Sequence, residues 1–442
     1  MPFEALALDG LPAYSPLGQT SRVAIVGGGI SGMGAAHMLG KTHHVTLFEA
    51  EPRLGGHART KMAGKNGNQP VDTGFIVFNY ANYPYMAALF DQLRVPVVKS
   101  NMSFGASIDG GRLEYALTSL DALFAQRRNA LSPAFLGMVR DIFKFNRCAL
   151  EVAKDESLTV REFLALLGTG DRFRDHYLLP LSGAIWSTPT EQIMDFPAYA
   201  MIRFFENHAL LNTYGQHQWY TVKGGSIQYV QRLEAALANM GVDLRLGAAV
   251  QSVRRAGGKV FIRTWGGEEE MFDHVIMATH SDDSLRLLAD PSGQERTALG
   301  AIAYQPNEIV LHADTNIMPK NRKTWASWVY TEDRNAPSSR IDLTYWMNSL
   351  QPIPMDDPHF VTLNTKRQIR EELIFDTVTL RHPVYDLAAL DAQKAVAEFN
   401  GAQNTWFCGA WMKNGFHEDG LSSAVDVVRR LRETAVADIA AE

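Results

Sequence analysis

The sequence predicts an α/β protein. A Rossmann-like dinucleotide-binding domain is expected, interleaved with a second, α+β domain. Three observations predict this. A short apolar run near the start of the chain leads directly into a glycine-rich turn. A second apolar run ends on an acidic residue about twenty positions later. The 442 residues are too many for one hydrophobic core, so a second domain or a large insertion must follow.

The first run is residues 22–26, RVAIV, which suits a strand buried on both faces of a parallel sheet. The turn places Gly27, Gly29 and Gly32 in a G-x-G-x-x-G pattern. Gly27 is expected to make the tight turn, Gly29 to let the backbone approach a pyrophosphate, and Gly32 to let helix and strand pack closely. Ile30 and Ser31 begin the helix, whose free N–H groups and positive dipole end face the phosphates. The second run, residues 44–48, ends at Glu49, and Ala50 follows. Glu49 lies 49 − 27 = 22 residues after the first glycine, where a carboxylate receives the ribose hydroxyls and repels a 2′-phosphate.

Composition excludes several classes. With 46% hydrophobic and 20% charged residues, the chain is ordinary globular material. A net charge of −6 argues against a nucleic-acid partner. Cys148 and Cys408 are too few for a disulfide framework and fit a reducing compartment. Residues 1–19 lack the basic start and long apolar run of a signal peptide. No apolar stretch reaches the roughly 18 residues of a membrane span. A cytoplasmic protein is expected, with peripheral membrane contact left open, and no metal site is expected.

A second cluster extends the fingerprint. Glu49, Arg53, Gly55, Gly56, Arg59 and Thr60 together resemble the extended flavin signature of the amine oxidase and phytoene desaturase superfamily. The resemblance implies FAD and the GR2-type amine oxidase fold. It implies that Gly55 and Gly56 run along the diphosphate. The usual arginine after the glycine pair is His57 here, which leaves Arg59 as the phosphate candidate. Thr73, Gly74 and Phe75 would border the flavin, and the Val250 backbone would contact adenine. Ala278 and Thr279 would form the small-residue turn after the returning strand. Gly409 would end the last strand. Gly415, Phe416, His417 and Glu418 would open a final helix aimed at the flavin N1–C2=O edge. The FAD-binding domain is then discontinuous, over 21–79, 221–299 and 400–432. The substrate domain takes 80–220, mostly helical, and 300–399, strand-rich.

Phrases at 177–188, 194–197, 203–208 and 219–226 narrow the resemblance. They look like a bacterial branch of amine-oxidase-like flavoproteins often found beside cyclopropane-fatty-acid-synthase-type methyltransferases. The branch implies redox chemistry on acyl chains of membrane lipids and functional association with a lipid methyltransferase. The leading expectation is desaturation of a methylated acyl chain in the furan fatty acid pathway, with hydride transfer to flavin N5. Alternatives are an amine or amino-acid oxidase, a flavin-dependent fatty-acid double-bond isomerase, and a non-catalytic flavin-binding partner subunit.

Candidate bases are His417, Glu206, His208 and Tyr177, with His176 and Glu418 behind them. His417 ranks first because the final motif puts it beside the flavin. Lys323 is the guess, from chain position, for a lysine held through water at flavin N5. Residues 121–154 interleave basic and aromatic side chains, a pattern that suits an anionic membrane surface.

Overall fold

The computed structural model describes residues 2–8, 21–186, 190–212, 215–332 and 340–441. Ser187 and Thr188, which end the 177–188 phrase, lie outside these residues, as does most of 1–19.

Strands Arg22–Val26, His44–Glu49, Asp243–Leu246, His274–Met277 and Thr405–Phe407 form one sheet, and every pairing in it is parallel. Strand 22–26 sits in the middle, between 44–49 and 274–277. Its residues Val23 to Val26 are all buried, which is why the sequence shows a continuous apolar run rather than alternation. Helix Ile30–Leu39 crosses from strand 22–26 to strand 44–49, and the terminal helix His417–Ala441 packs on it. Strands from both ends of the chain therefore build one layer.

The second layer is a seven-stranded sheet. Its spatial order is Ile374–Pro383, Tyr304–His312, Phe360–Leu363, Asp342–Trp346, Trp328–Glu332, Phe104–Ile108 and Leu113–Ala116. All neighbours are antiparallel except the 104–108 and 328–332 pair.

Stretch 80–220, expected to be mostly helical, thus also contributes a hairpin. Strand 104–108 is buried at all five positions, which erases the alternation that marks a strand in sequence. The reversal at Asp109, Gly110 and Gly111, all at positive φ, is the signal that remained. The helical part is Pro133–Val152, Val160–Leu167, Leu179–Trp186 and Ala198–Asn207. Its longest helix starts on a Ser132 cap, whose hydroxyl accepts from the Phe135 N–H at 3.3 Å, followed by Pro133 in the first helical position.

Buried polar contacts join the layers. Asp72 is fully buried and accepts from the Thr60 hydroxyl, from the Ser226 N–H (2.9 Å) and hydroxyl (2.7 Å), and from the Gln351 amide (2.8 Å). Arg59 forms a two-pronged ion pair with Asp376 of strand 374–383.

Candidate active site

A cavity of about 1270 Å³ lies between the layers. At one end it is lined by Gly27, Gly29, Ile30, Ser31, Glu49, Ala50, Gly55 and Gly56. Three glycines of the fingerprint do different jobs. Gly27 has φ +108°, and a Cβ there would stand 2.7 Å from the Ala278 carbonyl oxygen. A Cβ on Gly32 would stand 1.9 Å from the Gly27 carbonyl oxygen, so Gly32 serves helix–strand packing and is not on the cavity wall. A Cβ on Gly29 would meet nothing within 4 Å. Protein packing therefore does not demand glycine at 29; the open space in front of it suits a ligand's close approach.

Glu49 completes this end. Its carboxylate accepts from the Gly28 N–H (2.6 Å) and the Glu51 N–H (2.8 Å), one on each oxygen. Each oxygen retains a lone pair for a ribose hydroxyl. Val250, Ala278, Thr279, Thr73, Gly74, Phe75, Gly409, Gly415, Phe416 and His417 also reach the wall. Segments far apart in sequence thus converge around one elongated space. His57 adds an orphaned group: its Nε2 is buried without a hydrogen-bond partner, beside Gly56. The His57 ring lies 5.8 Å from that of His280 and 5.6 Å from that of His382, all three on the wall. A glycine open toward a ligand, a poised carboxylate and an imidazole whose Nε2 is unpartnered fit an adenine dinucleotide with its diphosphate.

A model of the flavin containing amine oxidoreductase family matches residues 30–358. The chain belongs to that family. Its cofactor is FAD. Among solved structures, this family member is similar to a CLA-producing fatty acid isomerase from P. acnes, with a TM-score of 0.66 and 15% identity over 94% of this chain and 99% of that one. It is equally similar to cyclohexylamine oxidase from Brevibacterium oxydans IH-35A, at 0.66 and 14% over 94% and 99%. At such identities the likeness is one of fold. An L-amino-acid oxidase of Sistrurus catenatus edwardsii is 48% identical over 59 residues, covering 13% of this chain and 11% of that enzyme.

Several expected site residues of this flavoprotein stand elsewhere. Arg59 does not reach the wall, because Asp376 of the opposite layer holds its guanidinium and the Thr73 hydroxyl accepts a further bond at 3.1 Å. Glu418 is turned away from the wall. Its two oxygens accept from the Tyr85 and Met86 N–H groups (both 2.9 Å), capping helix Pro84–Gln92, which has no side-chain cap of its own. Burial raises the Glu418 carboxyl to about 7. Glu206 pairs with Arg203 at 2.6 Å on the outer flank of its helix. Lys323 is exposed and pairs with Asp121 at 2.9 Å. His176 is buried off the wall.

His417 is where the sequence put it, at the start of the final helix and on the wall. Its chemistry is different from that of a base. The ring stacks on Phe75 at 4.1 Å, and Nε2 shares a hydrogen bond with the Tyr229 hydroxyl at 2.6 Å. Burial lowers it to about 3, and the Tyr229 hydroxyl already occupies its Nε2, so it is a neutral hydrogen-bonding group whose Nε2 is not free to take a substrate proton there.

Two candidates remain on the wall. Tyr177 sits in a π-turn over Arg174–Leu178, and burial raises its hydroxyl far above the usual range. His208 donates Nδ1–H to the Phe204 carbonyl at 2.9 Å, which fixes the tautomer and leaves Nε2 as the acceptor. Its ring stacks on Phe204 at 3.9 Å, and Phe204 stacks on Phe416 at 4.9 Å. Burial lowers His208 to about 4, so the ring is uncharged near neutrality.

His280, His382 and Arg381 were missed in sequence. They come together only because strand 374–383 lies over the Gly55–Gly56 turn, and no spacing rule connects them. Among the described residues, His280, Asp282 and Asp283 also form a group of metal-ligand type. Arg381 pairs with both of its carboxylates, which accounts for their charge without an ion.

Proposed function

We propose that this FAD-dependent oxidoreductase acts on acyl chains of membrane lipids, and that it desaturates a methylated chain. One observation carries the reading. From the dinucleotide end the cavity runs on past Tyr177, Leu181, Phe204, Ile309, Trp328 and Leu363 to an opening beside helix 133–152. Among the described residues, Glu49, Asp283, Arg286 and Arg381 are, apart from the uncharged histidines, the acidic and basic residues on the whole wall. Glu49, as above, belongs to the ribose end; Asp283, Arg286 and Arg381 lie near the Ala278–Thr279 turn. The rest is mainly apolar and aromatic, interrupted by uncharged polar side chains such as Asn101, Asn146, Asn212 and Gln216; the lack of formal charge there favours an uncharged chain over an ammonium or a carboxylate.

FAD, when bound, supplies a two-electron oxidant. The chain's own residues supply the rest. The Gly27–Gly32 turn, Glu49 and the Gly55–Gly56 turn hold the dinucleotide in place. The Phe204, Phe416 and Trp219 rings exclude water and confine the substrate. His208 Nε2, kept neutral and turned into an accepting tautomer, takes a proton as two C–H bonds of the chain give one C=C bond.

Incubation with bacterial lipid extract, followed by mass analysis of the acyl chains, tests this. Loss of two hydrogens per chain supports it. Unchanged mass with a moved double bond would make the protein an isomerase, and peroxide formed from soluble amines an amine oxidase. His208→Gln is expected to lower kcat by about 10²-fold with KM little changed.

A further inference from the structure

We infer that the rim of the cavity is a docking surface for an anionic lipid bilayer. This rests on the acyl-chain reading, for which it provides the entry route. Two segments make the rim. In one, Leu117, Leu120 and Leu123 line the opening, with Leu120 77% exposed. The other is helix Pro133–Val152. At about 100° per residue, Leu136, Arg140, Phe143, Arg147 and Leu150 fall on one face. All five are exposed. Round the circumference come Val139, Ile142 and Asn146 on the cavity wall, then Met138, Phe145 and Ala149 in the core. Phe143 belongs to two of these zones: it is 56% exposed and also lines the cavity.

A helix face that meets only water is polar along its length. This one alternates apolar side chains with arginines, and its apolar members continue without a break into the channel. The charge around it is predominantly positive, because Glu151, the exposed carboxylate of the same helix, pairs with Lys154. Asp121 is matched by both Arg127 and Lys323. Asp141 is turned inward, 5% exposed, and accepts from the Gly170 N–H at 2.9 Å and from the Arg140 guanidinium at 3.1 Å. Lys144 and Arg128 donate to backbone carbonyls rather than to carboxylates. Arg147 has no ion pair among the described residues. A second copy of this chain would bring like charges together, and an apolar protein partner would not need them. Anionic headgroups meet the cations while Leu120 and Phe143 enter the acyl boundary.

Co-sedimentation of the FAD-loaded protein with extruded vesicles tests this. Phosphatidylcholine vesicles are compared with vesicles of phosphatidylcholine and phosphatidylglycerol in equal parts. Binding is expected to the anionic vesicles, about tenfold weaker to the zwitterionic ones, and weakened by added salt. Arg147→Glu should lower anionic-vesicle binding by about tenfold or more, with an unchanged thermal midpoint. Leu120→Ser/Phe143→Ser should lower it as well. Absent binding, salt-insensitive binding, or variants that bind like the parent protein would overturn the inference. So would a dimer broken by Phe143→Ser in a protein that ignores vesicles. The two readings fail separately. Desaturation of detergent-dispersed lipid without vesicle binding removes the docking surface alone. Vesicle binding without any lipid product removes the acyl-chain reading alone.

Discussion

The two ends of the cavity are made by opposite means. The dinucleotide end is built from backbone: Gly29 opens toward space, and Glu49 is held by two N–H groups. The substrate end is built from side chains packed on one another, such as Phe204 against Phe416 and, on neighbouring strands, Trp328 against Tyr345. Backbone recognition demands particular residues at fixed spacing. An apolar channel demands only volume and the absence of charge. The first therefore tolerates almost no substitution, and the second should tolerate many while its selectivity changes.

The largest effect should break the first end without breaking the fold. In Gly29→Val the new Cβ meets no protein atom within 4 Å, and φ at that position is −75°. The apoprotein should fold with a midpoint near that of the parent, yet lose FAD affinity by about 10²-fold or more as the side chain fills the approach to the phosphates. Gly32→Val is the contrast. Its Cβ would collide with the Gly27 carbonyl, so the apoprotein itself should be destabilised by about 3 kcal/mol or more. Calorimetry of both apoproteins with FAD titration checks the pair. Equal midpoints for the two variants would contradict the division of labour among the glycines.

A smaller effect is expected at the other end. Leu363→Trp narrows the channel where strand 360–363 faces it. FAD content and spectrum should stay unchanged, while turnover of long chains falls about tenfold relative to short ones, as one or two methylenes lose their place. A uniform loss for all chain lengths would mean that the channel does not hold the chain.

The smallest effect concerns acid. Burial lowers His208 to about 4 and His280, His382 and His417 to about 3, all on the cavity wall. Above the unfolded value near 6.5 these rings are neutral in both states and cost nothing. As pH falls from 6.5 toward 4 the unfolded chain takes up protons that the folded chain refuses, and stability declines. Asp72 and Asp419, raised to about 6, and Glu418, raised to about 7, act the other way. Their contribution is full below the unfolded carboxyl values and is lost as pH rises through 6 to 7. The histidines outnumber them, so the thermal midpoint should fall between pH 6.5 and 4.5. His208→Gln should flatten that slope by one proton. A midpoint that rises on acidification would mean that the buried carboxyls dominate.

How much could be read from sequence follows the same division. Gly27, Glu49 and Gly56 were legible because the backbone geometry they serve admits few alternatives. Arg59 and Glu418 were misplaced for an identifiable reason. Their partners, Asp376 and the Tyr85 and Met86 N–H groups, lie more than 300 residues away, and a charged side chain goes to the nearest group that satisfies it. Hairpin 104–116 was hidden because burial on both faces removes the period of two. The histidine cluster of 57, 280 and 382 depends on how strand 374–383 lies over the glycine turn, which local pattern does not encode.

The order of strands in the parallel sheet has a consequence for synthesis. Strand 22–26 leaves the ribosome early, but the layer is not closed until strand 405–407 arrives, 405 − 22 = 383 residues later. At roughly 5–20 residues per second, that is a wait of about 20 to 80 seconds. Gly409 and the start of the helix from His417 are wall residues of the cavity, so that wall is complete only after that interval. Cofactor capture is therefore among the last events in the life of the nascent chain.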